Sequence, residues 1–147
     1  PTLLAMLFQT QRAAARSLAG SWRWPHFRVA ELACQCGGRF CDGEYWHDAH
    51  VLDGLEAVRA SAGRALIVTS GHRCAQWNAA VGGAPFSRHK TLAVDIALSG
   101  HDRQALRMAA EAAGFTGLGL ARTFLHLDRR RRPATWFYGR SKEAWTR

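Results

Sequence analysis

The chain has 147 residues, of which 48% are hydrophobic and 21% are charged, and its formal net charge is +9. This length supports one domain with a substantial hydrophobic core, and the composition excludes a disordered chain. No apolar run approaches the roughly 20 residues of a membrane span. The chain begins with a short apolar stretch, and its first arginines come after that stretch. A secretory signal peptide has its positive charge before the apolar stretch, so we expect no export signal. The positive charge attracts polyanions, nucleic acid among them.

The first half of the chain predicts two longer helices on either side of a loop. Residues 3–18 have a helical pattern, and we treat residues 1–25 as an N-terminal helical segment ahead of a compact domain at 26–147. Residues 27–33 predict a short extended segment. Residues 48–62 return to a helix, with apolar side chains spaced for one buried face.

The second half predicts strands that alternate with helices. The expected strands are 64–69, 92–98, 115–121, 123–128 and 135–138, and the expected helices are 75–81 and 101–113. In the strand at 92–98, apolar residues take one side and Asp95 lies on the other, between two alanines. We predict an α+β fold, as one domain with an antiparallel sheet and flanking helices.

Four cysteines form a second group of interest. Cys34, Cys36 and Cys41 lie close together among glycines, and Cys74 lies in a separate motif. Two disulfides, buried free thiols and a structural metal site are all compatible with this spacing, although it lacks the paired Cys-x-x-Cys of zinc ribbons.

Two histidines and a carboxylate predict a metal centre. In the strand at 123–128, His126 and Asp128 share one face, and a neighbouring strand could present Asp95 to the same cleft. His89, in the loop before the Asp95 strand, could supply a third ligand. Three ligands of this kind hold zinc and leave a position for water, as in metallohydrolases.

Several short motifs resemble one known family, in order and in approximate spacing. They are Ser70-Gly71-His72-Arg73-Cys74, Asn78, Val81-Gly82-Gly83, Ser87-x-His89, Ala93-x-Asp95-Ile96 and His126-x-Asp128. This set is similar to the zinc D-Ala-D-Ala carboxypeptidases, which include the phage L-alanyl-D-glutamate endopeptidases and share a fold with the Hedgehog signalling domain. The resemblance covers residues 27–136.

The resemblance implies a role for each site residue. Zn²⁺ would be held by His89, Asp95 and His126, and Arg73 would hold substrate or stabilise the oxyanion, as a permanently charged guanidinium can. Ser87 would hydrogen-bond beside the ligands or cap the turn, and His72, which replaces an aromatic residue of the family, is a candidate substrate contact.

Besides His72, this sequence departs from the family at two further places. The first histidine and the aspartate are six positions apart instead of seven, which predicts a tighter turn at His89. Many members also carry an acidic general base three positions before the last histidine, where Thr123 stands here. Asp128 is the substitute, and either it takes the proton of the attacking water or it orients His126 and pairs with the arginines at 129–132.

The resulting hypothesis is a zinc peptidase that acts on peptidoglycan stem peptides, as a carboxypeptidase or an endopeptidase. Without an export signal, we expect synthesis in the cytoplasm and delivery by a phage-like route, such as an endolysin or an association with tail proteins. Two alternatives remain: a non-catalytic zinc-binding module of the same fold, and a basic nucleic-acid-binding protein, for which the motifs offer little support.

Overall fold

The computed structural model describes residues 5–146. The strands are β1 (Ala5–Phe8), β2 (Tyr45–Asp48), β3 (Val68–Ser70), β4 (Val94–Ala97), β5 (Gly117–Leu120), β6 (Phe124–Asp128) and β7 (Ala134–Phe137). The helices are α1 (Gln11–Leu18), α2 (Val29–Leu32), α3 (Ala49–Ala62), α4 (Ala75–Ala80), α5 (Arg103–Ala112) and α6 (Lys142–Thr146). A 3₁₀ turn at Arg88–Lys90 precedes β4.

The main sheet has the strand order β3-β4-β6-β5-β7, and β1 and β2 form a separate two-stranded sheet. Neighbouring strands of the main sheet are antiparallel, except that β5 and β7 are parallel. The predicted α+β fold is confirmed, with this one parallel pair added at the edge of an otherwise antiparallel sheet.

The N-terminal segment differs from the helix predicted at 3–18. The start of that prediction, residues 3 and 4, lies outside the described residues. Ala5–Phe8 forms β1 instead, paired antiparallel with β2, because Met6 and Phe8 point inward at the two-residue period of a strand. The helix begins only at Gln11, where the Thr10 hydroxyl accepts a hydrogen bond from the Ala13 N–H. β1 belongs to the predicted segment 1–25, and its partner β2 belongs to the predicted domain 26–147. Residue 147 of that domain is not described.

The later helices lie close to their predicted positions, but residues 27–33 do not form the extended segment expected there. Val29–Leu32 is a helical turn, because the Glu31 carboxylate accepts a hydrogen bond from the Arg28 N–H and caps it. Among the helices at residues 5–146, none has the length and apolar character needed to cross a membrane.

The central strands β4 and β6 divide the core from the polar face of the sheet. Val94, Ile96, Leu125 and Leu127 are fully buried and join the core with α3 and α5. The opposite face of the same two strands carries Asp95 and His126, which are directly paired in the register. The predicted alternation in these strands is confirmed, and it leaves two polar side chains adjacent on one face.

The cysteine loop lies between α2 and β2 and contacts the start of α4. All four cysteines are free thiols, so the disulfide alternative does not hold in this structure. The four sulfurs are Cys34, Cys36, Cys41 and Cys74, and they lie within one small cluster.

Candidate metal centre

Three elements bring the predicted ligands together. His89 is the middle residue of the 3₁₀ turn, whose first backbone N–H groups are capped because Ser87 Oγ accepts from the His89 N–H at 3.2 Å. Asp95 lies on β4 and His126 lies opposite it on β6. The 3₁₀ turn is the tight connection that the six-residue separation of His89 and Asp95 requires.

The three ligand atoms form a nearly equilateral triangle. Asp95 Oδ1 lies 3.1 Å from His89 Nε2 and 3.0 Å from His126 Nδ1, and the two nitrogens are 3.1 Å apart. Bonds of about 2.0–2.1 Å to a tetrahedral zinc ion would place ligand atoms about 3.3 Å apart. All three side chains are buried. The donor set and its spacing therefore fit a zinc ion.

The hydrogen bonds of the outer nitrogens determine which tautomer each of the two histidines takes when its ring is neutral. His89 Nδ1 lies 2.7 Å from the Gly71 carbonyl, which can only accept, so Nδ1 must donate. His126 Nε2 likewise donates to Asp128 Oδ2 at 2.7 Å. In neutral rings, His89 Nε2 and His126 Nδ1 are then unprotonated, and they face each other and a carboxylate. Such a convergence of acceptors needs a cation between them.

The pKa values around the triangle reflect the same convergence. Burial raises the pKa of Asp95, but hydrogen bonds with His126 and His89 outweigh burial and lower it to about 2. Burial lowers the pKa of His126, but the contacts with Asp128 and Asp95 outweigh burial, so the pKa of His126 is raised. The site therefore holds positive charge strongly, either as a proton on His126 or as a metal ion.

Asp128 contacts His126 on the side away from the triangle. Its Oδ1 accepts from the N–H and the Nε–H of Arg130, and its Oδ2 accepts from His126 and from Arg130 Nη2 at 2.6 Å. The side chain is buried and does not line the cleft. Burial raises the pKa of Asp128, but the Arg130 and His126 hydrogen bonds lower it well below its usual range. These contacts are the ones expected of the orienting role, because the four hydrogen bonds hold Asp128 against His126 and Arg130. The alternative role as general base stays a prediction.

His72, a candidate substrate contact from the sequence, lies inside the structure and not in the cleft. The ring is buried, with Nδ1 at 2.7 Å from the Thr91 carbonyl and Nε2 at 2.8 Å from Glu44 Oε1. It does not line the cleft. His72 instead joins the segment before β4 to the cysteine loop.

A cleft of about 480 Å³ opens onto the triangle. Arg73 and Ser87 both line it, as do both histidine ligands and Asp95. Arg73 Nη2 lies 3.9 Å from Asp95 Oδ2, and Arg73 Nη1 donates to Asn78 Oδ1 at 3.3 Å. Asn78 is buried and donates to the Ala84 carbonyl, so it holds the guanidinium toward the metal centre.

Arg130, Trp136 and Tyr138 form a further wall of the cleft. Sequence reasoning assigned none of the three a specific place in the site. The Arg130 guanidinium stacks 4.4 Å from the Trp136 ring centre, and Trp136 lies 5.3 Å from the His126 ring. In the sequence, Arg130 is one of four adjacent arginines, and its contacts with Asp128 and Trp136 distinguish it only in the structure.

Two glycines of β5 make room for Asp128 and for the ring of Tyr138. A Cβ at Gly117 would lie 1.9 Å from Asp128 Oδ1, and a Cβ at Gly119 would lie 2.6 Å from Tyr138 Cε2. Any larger residue would displace the carboxylate or the aromatic ring. The alternating glycines of Gly-Leu-Gly-Leu were a readable signal of close approach on one strand face.

A comparison with protein families agrees with the geometry. The sequence model of the family described as Peptidase M15 matches residues 25–128, more than half of the chain. None of the curated proteins compared with the chain matches it. The matched range contains the three residues of the triangle and Arg73. The chain therefore belongs to the Peptidase M15 family.

Proposed function

We propose that this peptidase-family protein is a zinc-dependent enzyme that hydrolyses peptide bonds in peptidoglycan stem peptides. The observation that carries the proposal is the triangle of lone pairs from His89 Nε2, His126 Nδ1 and Asp95 Oδ1, with 3.0–3.1 Å between atoms. When bound, zinc supplies Lewis acidity, which lowers the pKa of water at an open coordination position to about 7 and polarises a carbonyl.

The residues of the chain would divide the remaining work. Gly71 and Asp128 hold the ligand histidines in the tautomers that present lone pairs. Arg73, partly exposed and aimed at the cleft, would bind the carbonyl oxygen as negative charge develops on it, or a substrate carboxylate. Ser87 lines the cleft beside the metal centre and is proposed to contact substrate while it caps the 3₁₀ turn.

The chemistry of the cleft supports a stem-peptide substrate. Arg73, Arg88 and Arg130 give it positive charge, which suits the free carboxylates of such peptides. Phe86, which is 93% exposed, and the aromatic wall offer apolar surface for short side chains. Delivery to the wall by a phage-like particle is part of this proposal, and the bond cut is either the terminal D-alanine bond or one inside the stem.

One observation favours a second candidate, a non-catalytic zinc-binding module. Among the described residues that line the cleft, Asp95 is the one carboxylate, and it belongs to the triangle. Its pKa, lowered to about 2, makes it a weak base. Hydrolysis would therefore depend on zinc for most of the activation of water, and a module that binds without cutting needs no further base.

The deciding experiment uses purified peptidoglycan and the zinc-loaded protein. Wild type is expected to release new amino groups, and mass spectrometry of the soluble products identifies the bond cut. His126→Ala should release none, whereas His50→Ala, an exposed histidine outside the cleft, should match wild type. Zinc-loaded wild type that binds peptidoglycan but releases no amino groups would overturn the enzyme and support the binding module.

A further inference from the structure

We propose that the four cysteines bind a second, structural zinc ion, separate from the centre at His89. Three stretches of the chain contribute: Cys34 and Cys36 follow α2, Cys41 lies later in the cysteine loop and Cys74 precedes α4. All four sulfurs lie within 4.8 Å of one another. No residue is shared with the triangle of His89, Asp95 and His126.

The spacing of the sulfurs fits one tetrahedral ion. With Zn–S bonds of about 2.3 Å, the sulfurs of a tetrahedral site are about 3.8 Å apart. Cys36 Sγ and Cys41 Sγ lie 3.5 Å apart, close to that edge length and far from the roughly 2.05 Å of a disulfide. A four-thiolate tetrahedral site selects zinc or iron among the common metals.

Backbone amides surround the sulfurs as they do in sites where sulfur carries negative charge. The N–H of Cys74 donates to Cys34 Sγ, that of Glu44 to Cys41 Sγ and that of Trp77 to Cys74 Sγ, each at 3.4 Å. Gly38 and Gly43 have φ values of 85° and 76°, which bend the loop back around its sulfurs in a way that other residues rarely allow. These hydrogen bonds would hold thiolates in place and partly offset their charge.

The surroundings do not suit a plain hydrophobic role for the cysteines. Cys34, Cys36 and Cys74 are buried, yet they form a cluster apart from the main core, with Cys41 and Trp77 as the partly buried residues packed against it. Buried thiols that only filled space would contact aliphatic side chains of the main core. Here the sulfurs face each other, which is the arrangement that a shared cation stabilises.

A metal at this place would also steady the peptidase cleft. Three of the four residues from Gly71 to Cys74 contribute to one of the two sites. The Gly71 carbonyl accepts a hydrogen bond from His89, the Arg73 guanidinium faces Asp95, and Cys74 is a sulfur ligand of the proposed second site. A Cβ at Gly71 would lie 2.4 Å from the Leu32 carbonyl, so this stretch packs directly on the end of α2. Anchoring Cys74 would therefore limit the movement of the groups that orient His89 and the substrate.

The test is metal analysis of the full chain, purified under reducing conditions. Wild type is expected to carry two zinc ions per chain, His126→Ala one and Cys41→Ser one. Cys41 is chosen because it is the least buried of the four and serine has nearly the same shape. X-ray absorption of zinc-loaded His126→Ala should show sulfur ligands alone, at about 2.3 Å. Cobalt-loaded His126→Ala should also show strong thiolate-to-metal charge-transfer absorption.

The reciprocal variants keep the outcome clear. If His126→Ala carries no zinc while all four thiols remain open to alkylation, or if the cysteines are paired as disulfides, the proposal is wrong. Iron in place of zinc would overturn the assignment of the metal. Should Cys41→Ser fail to fold, the sulfur signature of zinc in His126→Ala still decides the matter. Loss of peptide hydrolysis in wild type with two bound zinc ions would count against the proposed activity and not against this site.

Discussion

Asp128→Asn should lower the affinity for zinc at the peptidase centre by about 10- to 100-fold, the usual cost of losing a group that orients a metal ligand. That loss corresponds to about 1.4–2.7 kcal/mol. The structure supports this range, because the 2.7 Å hydrogen bond from His126 to Asp128 has an ionised acceptor. Hydrogen bonds to charged groups contribute about 1.5–3 kcal/mol.

Asparagine cannot replace the carboxylate at this position. Each oxygen of Asp128 accepts two hydrogen bonds: Oδ1 from the N–H and Nε–H of Arg130, and Oδ2 from His126 and from Arg130 Nη2. Whichever way an asparagine turns, its NH₂ group meets two donors. Either His126 loses its acceptor or the Arg130 contact is broken, so the imidazole is no longer held in the tautomer that presents Nδ1.

The assay measures zinc affinity by competition with a chelator, and peptide release at a series of free zinc concentrations. We expect Asp128→Asn to recover most of its activity at high free zinc, because the carboxylate acts through the ligand. Asp102→Asn, at the N-cap of α5, is the matched control. Because aspartate and asparagine both cap helices well, this variant should behave as wild type. Unchanged zinc affinity with low kcat at saturating zinc would refute this reasoning and restore Asp128 as the base.

Three further predictions follow from the cleft. Gly119→Ala should destabilise the protein by about 1–3 kcal/mol in urea denaturation, because its Cβ would lie 2.6 Å from Tyr138 Cε2. Gly20→Ala, which has open space around it, is the control and should leave the stability unchanged. Equal losses of stability in the two variants would contradict this reasoning. Arg73→Lys should lower kcat by about 10²- to 10³-fold with zinc content unchanged, because an ammonium does not reproduce the planar guanidinium. An unchanged kcat would exclude Arg73 from the reaction. In the metal-free protein, the raised pKa of His126 stabilises the fold below the ordinary value of about 6.5, and this contribution is lost as the pH rises through the higher folded-state pKa. Zinc takes the place of that proton, so the difference in Tm between zinc-loaded and metal-free protein should widen from about pH 6 to about pH 8, and a constant difference would contradict this.

Much of the sheet and the candidate ligands could be predicted because they depend on local patterns. Two-residue alternation separates the apolar side of β4 and β6 from the side that carries Asp95 and His126, whatever the rest of the fold does. At the N-terminus the same kind of evidence failed. Helix-forming residues at 5–8 pair as a strand with β2, because pairing with a distant segment outweighs a weak local preference.

The order of residues already specifies the chemical groups of the site: two imidazoles and one carboxylate in family order, an arginine ahead of them, and four sulfurs. Which neighbour each group meets depends on how the chain packs. Asp128 contacts the outer nitrogen of His126 and Arg130, His72 turns toward Glu44, and Cys74 joins three sulfurs that lie at least 33 positions before it. Alternation and propensity select a face of an element, whereas hydrogen-bond partners depend on packing between residues far apart in the chain.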